Sequence, residues 1–310
     1  MGQEGNSYVK SSLSLMSSIQ QKTCLMCGLC PAAGSQLRRC GSCLAVKYCS
    51  SACQTEDWAS HRLVCKNVGD TRKEELMPLI RAARNGDVAT VKNLLNAGAK
   101  VDGGAFCDDN KTPKVTTLLY TAADAGHAAV IAVILKAGAK MNRATTGGFT
   151  PLFIAAQEGH MAAVSVFIGA GADVDSQNDS GCTPLFIAVQ NGHEAVVVAL
   201  LESGADIIQA LVNGSMPLFM AVQNNHEAVL ATLLKAGADV LMSNSRRKDG
   251  CTPLCIAAAQ GHEAVLMMLL KAGAQMTATD DGRTPLMAAM NEGHRSVGAA
   301  LRLWIAGTRT

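Results

Sequence analysis

A unit of about 33 residues recurs through the greater part of this 310-residue chain and constrains its fold more than any other feature. Each copy has a proline that is followed nine residues later by a histidine. The prolines are Pro151, Pro184, Pro217, Pro253 and Pro285, and the histidines are His160, His193, His226, His262 and His294. A period of this length is typical of stacked helix pairs, because one pair alone cannot bury its apolar face. The pattern therefore predicts a mainly α-helical solenoid.

Two degenerate copies precede these five. His127 lies 33 residues before His160, and residues 77–86 read as an earlier copy with Asp87 in the histidine position. We therefore expect about seven repeats. The interval from Asp87 to His127 is 40 residues, so about seven extra residues are predicted to form a surface loop near residues 103–114, where an insertion costs little entropy.

Local signals within one copy predict two short helices. Thr183 is suited to cap the first helix, and Pro184 fits its first turn, where no amide donor is needed. Gly192 is expected to end this helix, residues 195–201 supply the apolar face of the second, and Gly204 ends that one. The same signals recur in phase, which predicts helix pairs along the whole array.

Residues 76–306 resemble an ankyrin-repeat domain. The resemblance implies a curved surface of hairpin tips and first helices that binds other proteins without catalysis. The chain departs from the family where a histidine often follows Thr-Pro-Leu, since apolar residues stand there: Phe153, Phe186, Phe219, Cys255 and Met287. We interpret them as filling space between repeats; the other interpretation is an apolar strip on the binding face. The divergent last copy, residues 283–306 with Trp304, fits a terminal cap.

The other constraining feature is a block of cysteines, since eight of the twelve in the chain lie between Cys24 and Cys65. The potential ligands form four pairs: Cys24 and Cys27, Cys40 and Cys43, Cys49 and Cys53, and His61 and Cys65. Thiolate and imidazole pairs at these spacings suit two tetrahedral Zn²⁺ sites. Cys27 and Cys30 form an alternative first pair; we favour Cys24 with Cys27, because Gly28 suits the tight turn that follows whereas Pro31 does not.

Residues 47–61, from Lys-Tyr-Cys through Cys-Gln to Trp and His, resemble a MYND zinc finger that spans residues 24–65. The resemblance implies interleaved ligands. Cys24, Cys27, Cys49 and Cys53 would hold one zinc, and Cys40, Cys43, His61 and Cys65 the other. It also implies binding of short proline-containing peptides, with Gln54 and Trp58 matching the peptide-contacting positions. A second interpretation of Trp58 is packing between the zinc sites. Fully ligated zinc leaves no open position for a substrate, so both ions are expected to be structural.

The expected domains are a leader at residues 1–21, the finger at 24–65, a linker at 66–75, the ankyrin repeats at 76–306 and a tail at 307–310. Lys and Arg total 27 against 25 Asp and Glu, which gives no overall field for nucleic acid or an anionic membrane. No apolar run long enough to span a membrane and no signal-peptide pattern occurs, so a cytoplasmic or nuclear location is expected.

These patterns predict a non-enzymatic, zinc-binding adaptor whose partners are proteins and peptides rather than small-molecule substrates. No phosphate-binding glycine motif or nucleophile elbow accompanies the repeats. Two alternatives stay open: a nuclear transcriptional co-regulator that binds proteins, and a relative of the methyltransferases that carry a MYND finger. The repeats leave no room in the chain for a methyltransferase domain.

Overall fold

The computed structural model describes residues 38–39, 47–48, 77–102, 117–145, 147–209, 214–241, 251–280 and 282–307. The chain divides into two compact units, Met1–Pro78 and Leu79–Thr310. In the first unit, strands β1 (Arg38–Arg39) and β2 (Lys47–Tyr48) pair antiparallel, with Arg38 opposite Tyr48 and Arg39 opposite Lys47.

Fourteen helices follow in the described residues, and they form seven consecutive pairs. The first helices of the pairs are α1 (77–84), α3 (Leu118–Asp124), α5 (Pro151–Gln157), α7 (Pro184–Asn191), α9 (Pro217–Gln223), α11 (Pro253–Gln260) and α13 (Pro285–Asn291). The second helices are α2 (Val88–Asn96), α4 (Ala128–Lys136), α6 (Met161–Gly169), α8 (Glu194–Glu202), α10 (Glu227–Lys235), α12 (Glu263–Lys271) and α14 (Arg295–Gly307). The predicted mainly α-helical solenoid of about seven repeats is confirmed. The predicted loop at residues 103–114 lies outside the described residues.

The first helices start as the sequence predicts. A threonine side chain caps five of them by accepting the amide of the residue three positions later; these are Thr117, Thr150, Thr183, Thr252 and Thr284. Helix α9 begins instead after Met216, which makes no side-chain cap bond. Gly192 ends α7 in the left-handed conformation, with φ of 77°, as expected from its position.

The core runs along the whole repeat unit as one apolar cluster, from Leu79 to Leu301. Val130, Val196, Val229 and Val265 illustrate its periodicity, since each lies three residues after the repeated histidine, in a second helix, and is at most 1% exposed. Because each helix pair covers the apolar face of its neighbour, the core is a stripe along the stack rather than a single central cluster.

The apolar residues after Thr-Pro-Leu fill space between repeats. Phe153, Phe186, Phe219 and Cys255 are each at most 2% exposed, which confirms this interpretation for four of the five positions. Met287 is 49% exposed because the described part of the chain supplies no further repeat to cover it.

The last helix pair differs from the others, as expected of a terminal copy. Helix α14 has 13 residues instead of nine and ends at Gly307, one residue beyond the predicted end of the repeats. Trp304 packs half-buried against the core, whereas Leu303 is 74% exposed. None of the helices in the described residues is both long and apolar enough to cross a membrane.

Candidate interaction surface

The predicted zinc ligands and peptide contacts lie outside the described residues. They are Cys24, Cys27, Cys40, Cys43, Cys49, Cys53, His61 and Cys65, the alternate ligand Cys30, and the peptide-contacting Gln54 and Trp58. The described β1 and β2 adjoin this set in the sequence, since Cys40 follows β1 and Cys49 follows β2. Elsewhere, the described residues contain no group of three or more His, Cys, Asp or Glu side chains that could hold a metal ion.

The repeated histidines connect neighbouring repeats. The first five lie just before a second helix and make no side-chain cap bond to it, and their rings reach back to the end of the first helix of the preceding repeat. The Nε2 atoms of His127, His160, His193 and His226 lie 2.8–3.0 Å from the main-chain oxygens of Arg84, Asp124, Gln157 and Gln190 respectively. A carbonyl oxygen can only accept, so Nε2 carries the proton in each ring. Each bond joins two neighbouring repeats and thereby stabilises the stack.

A glycine makes this approach possible. A β-carbon on Gly192 would lie 2.8 Å from both Nδ1 and Cε1 of the His226 ring. The equivalent residue of the next repeat is Asn225, which has a φ of 58° and a real side chain. In the repeat after that, the Nε2 atom of His262 lies 3.4 Å from the main-chain oxygen of Gln223, whereas the four equivalent distances above are 2.8–3.0 Å. The looser contact is the expected consequence of a β-carbon beneath the ring.

Two asparagines add a second set of bonds between repeats. Asn191 donates through Nδ2 to the Gln157 main-chain oxygen at 2.8 Å, and Asn224 donates likewise to the Gln190 oxygen at 2.7 Å. Each of these carbonyls therefore accepts both an amide and an imidazole N–H. The bonds also fix the amide orientation, because an oxygen facing the carbonyl would be repelled.

A groove of about 550 Å³ crosses these bonds at the turns between first and second helices. Its lining comes from three consecutive repeats: Gln157, Glu158, Gln190, Asn191, His193, Asn224 and His226. Every lining side chain is polar, and none is Lys or Arg. Sequence reasoning missed this groove, although Gln-Asn followed two residues later by His recurs in phase at residues 190–193 and 223–226.

Three cysteines of the repeat unit lie in the described residues, and none of the three forms a disulfide. Cys182 and Cys255 are buried and Cys251 is partly buried. Burial raises the pKa of the Cys182 thiol to about 11, because the thiolate would lose its hydration. A thiol with a raised pKa is a poor nucleophile at neutral pH, so Cys182 is suited to packing.

Comparison with known proteins identifies both units. Residues 79–302 match the family model described as ankyrin repeats (3 copies), in overlapping segments 79–177, 119–210, 152–244 and 218–302. The chain belongs to the ankyrin-repeat family. Residues 24–65 match the MYND finger model, so the chain also carries a MYND zinc finger. Ankyrin repeats and MYND fingers are typical protein-interaction modules, which supports an interaction adaptor with protein partners.

One solved ankyrin structure similar to this chain is that of the human ASB11 ankyrin repeat domain. It is 29% identical, with a TM-score of 0.61, over 73% of this chain and 96% of that one. Repeat folds of this kind are typically scaffolds for interaction rather than enzymes.

Two curated proteins are similar over short segments. SET domain and MYND-type zinc finger protein 6 of Schizosaccharomyces pombe is 32% identical over 54 residues, which is 17% of this chain. Ubiquitin carboxyl-terminal hydrolase 19 of Arabidopsis thaliana is 46% identical over 46 residues, or 14% of this chain. The chain spans only 11% and 6% of the length of these relatives.

The ankyrin repeats separate charge along the sequence. Between Arg143 and Lys235, residues 144–234 contain no Lys or Arg but eight carboxylates: Glu158, Asp173, Asp175, Asp179, Glu194, Glu202, Asp206 and Glu227. This segment contains the three repeats that line the groove. The whole chain has a formal net charge of +2, so the remainder carries the compensating positive charge. The groove therefore lies in the acidic part of an almost neutral chain.

Proposed function

We propose that this protein is a non-enzymatic, zinc-dependent adaptor in which the MYND finger captures a short proline-containing peptide and the ankyrin surface binds a second protein. The observation that carries the proposal is the pair of family matches, at residues 24–65 and 79–302, which join two interaction modules in one chain. We assign the finger to residues 24–65, the linker to 66–75 and the repeat domain to 76–306.

The finger's donor set fits zinc. Seven thiolates and one imidazole at paired spacings supply two tetrahedral sites, and these ligand types suit Zn²⁺. We assign one ion to Cys24, Cys27, Cys49 and Cys53, and the other to Cys40, Cys43, His61 and Cys65. When bound, zinc would supply structural cross-links, since about 40 residues cannot build an adequate core alone.

The likeness to the SET and MYND protein covers 54 residues, which is 17% of this chain and 11% of that protein, and this is too little to support a methyltransferase activity here. The cysteines among the described residues form no disulfide, which suits a reducing compartment, and we place the protein in the cytoplasm or the nucleus. Gln54 and Trp58 are our candidates for peptide contact.

Zinc content of the full-length chain tests the finger. We expect two zinc ions per chain by elemental analysis and a loss of zinc in Cys49→Ser. Cys182→Ser is the matched control, since it removes a buried thiol outside the finger and should retain both ions. Comparing Cys24→Ser with Cys30→Ser decides which cysteine completes the first pair. A wild-type chain without stoichiometric zinc would refute the assignment.

Peptide capture tests the adaptor role. We expect an array of proline-containing peptides to bind the full-length chain, and we expect Trp58→Ala to lose this binding while keeping its zinc and its helical circular dichroism. If Trp58→Ala bound the same peptides as the wild type, the peptide-contacting role of Trp58 would be wrong.

A further inference from the structure

We propose that the groove lined by Gln157, Glu158, Gln190, Asn191, His193, Asn224 and His226 is a docking site for an extended segment of a separate protein that presents Lys or Arg at every third residue. The inference rests on the proposed function, because it specifies the partner of the ankyrin surface. It is independent of the finger and of the peptides that the finger binds.

Hydrogen bonds determine what the groove offers a ligand. Because the Nδ2 atoms of Asn191 and Asn224 donate to main-chain carbonyls, their Oδ1 atoms are turned away from those carbonyls. Neither Oδ1 has a hydrogen-bond donor within the described part of the chain. At Glu158, Oε1 accepts from the Gln157 side chain at 2.9 Å, and Oε2 has no donor among the described residues. The groove therefore presents acceptors to an incoming group.

The acceptors recur with the repeat. Glu158, Asn191 and Asn224 occupy the same place in three consecutive repeats, two residues before the histidine. Neighbouring helices pack about 8–10 Å apart. An extended segment in the polyproline II conformation has about three residues per turn and advances about 3.1 Å per residue, so every third side chain lies on the same face and meets the next repeat. The geometry matches donor side chains at positions i, i+3 and i+6.

Charge selects a cation as the donor. Glu158 is the charged side chain of the lining, and residues 144–234 carry eight carboxylates without Lys or Arg. Glu194 and Glu227 add exposed carboxylates in the first turns of α8 and α10, directly after the groove histidines. The groove lining holds no Lys or Arg for an anionic ligand and no apolar side chain for an apolar one, whereas Lys and Arg on a ligand would supply several N–H donors and positive charge to its acceptors.

Fluorescence anisotropy with the full-length chain tests the proposal. The probe is a labelled Gly/Ser peptide with Lys at every third position, and the control peptide has the same composition with its lysines adjacent. We expect the spaced peptide to bind at least about fivefold more tightly and to weaken as salt rises from about 0.05 to 0.3 M. Equal affinity for the two peptides would overturn the assigned spacing.

Two charge reversals distinguish binding in the groove from nonspecific attraction to the acidic segment at residues 144–234. Glu158→Lys should weaken the spaced peptide about tenfold, because an attraction and then a repulsion each change affinity roughly threefold at an exposed site. Glu158→Gln should weaken it about threefold. The control Glu202→Lys makes the same charge change on exposed α8 outside the groove lining and should cost less than about threefold. Equal effects of Glu158→Lys and Glu202→Lys would refute the groove as the site.

The outcomes also distinguish this inference from the proposed function. If Trp58→Ala loses proline peptides and retains the Lys peptide, the two sites are separate, as we expect. If proline peptides bind and the Lys peptide does not, the inference fails while the finger's role stands. Salt-sensitive self-association that Glu158→Lys abolishes, measured by sedimentation without peptide, would mean that a second copy occupies the groove and would overturn the proposal of a separate partner.

Discussion

Substituting Gly192 by alanine tests whether the histidine contacts hold neighbouring repeats together. The new β-carbon would lie 2.8 Å from two atoms of the His226 ring, so the ring must move. The ring donates to the Gln190 oxygen at 3.0 Å, and moving it breaks that bond. Gly204 is a matched control in the same repeat, because its φ of 87° is also left-handed but nothing lies within 4 Å of its β-carbon position.

The expected costs follow from these two environments. An alanine in the left-handed region destabilises the folded state by about 1–2 kcal/mol. Alanine also restricts the unfolded chain, which offsets about 0.4–1 kcal/mol of this loss. Gly204→Ala should therefore lower the free energy of unfolding by about 1 kcal/mol. Gly192→Ala also loses a hydrogen bond worth about 1 kcal/mol and disturbs ring packing, so it should lose about 2–3 kcal/mol.

Urea denaturation of the full-length variants, followed by helical circular dichroism, measures these differences. The double variant Gly192→Ala/His226→Ala is the decisive comparison. Without the imidazole ring, the new methyl group has no obstacle, and adding Gly192→Ala to His226→Ala should cost only as much as Gly204→Ala. A coupling energy of about 1–2 kcal/mol is therefore expected between the two sites. Equal losses for Gly192→Ala and Gly204→Ala, to within about 0.3 kcal/mol, would refute the reasoning.

Four further predictions concern other features, and the same denaturation assay or thiol reactivity tests them. Met216→Thr should supply the cap that α9 lacks and stabilise the chain by about 1 kcal/mol; no gain would mean that Met216 packing matters more than capping. Asn225→Gly should also raise the free energy of unfolding by about 1 kcal/mol, since it removes a side chain from a left-handed backbone position. It should also let the His262 ring move closer to the Gln223 main-chain oxygen. Phe186→Ala should cost about 3–5 kcal/mol, whereas Met287→Ala, half exposed in the same repeat position, should cost less than about 1 kcal/mol. The pKa of Cys182, raised by burial to about 11, predicts slow alkylation at pH 8 and a loss of stability as pH rises from 9 to 11, because the folded state holds the proton that the unfolded thiol releases; rapid alkylation of native protein at pH 8 would contradict it.

The fold could be predicted because its signals are local and repeated. Thr183, Pro184 and Gly192 specify where one helix begins and ends, and their in-phase copies extend the assignment to the whole array. Burial at the repeated apolar position was not fully predictable from sequence. Phe186 and Met287 stand at the same place in their repeats, yet only the first is covered by a following repeat. Position in the stack, rather than residue type, determines that difference.

The groove was less predictable because its bonds join residues 34 and 36 positions apart in neighbouring repeats. The sequence shows that Asn191 and His193 recur in phase, but repeat phase alone does not say which neighbouring atom each side chain meets. Stacking brings the Gln157 carbonyl within reach of both donors and thereby turns the Asn191 oxygen outward. The assignment needs three-dimensional contacts, whereas the repeat count needs only spacing.

Whole-chain net charge obscured the property that gives the groove its selectivity. A net charge of +2 correctly indicates no strong overall field, but it averages an acidic segment at 144–234 with basic sequence elsewhere. Residues 21–75, which include the finger, hold eight basic and five acidic residues. A cationic segment is therefore favoured at the central repeats and disfavoured at the finger. The two proposed sites would therefore prefer ligands of different charge.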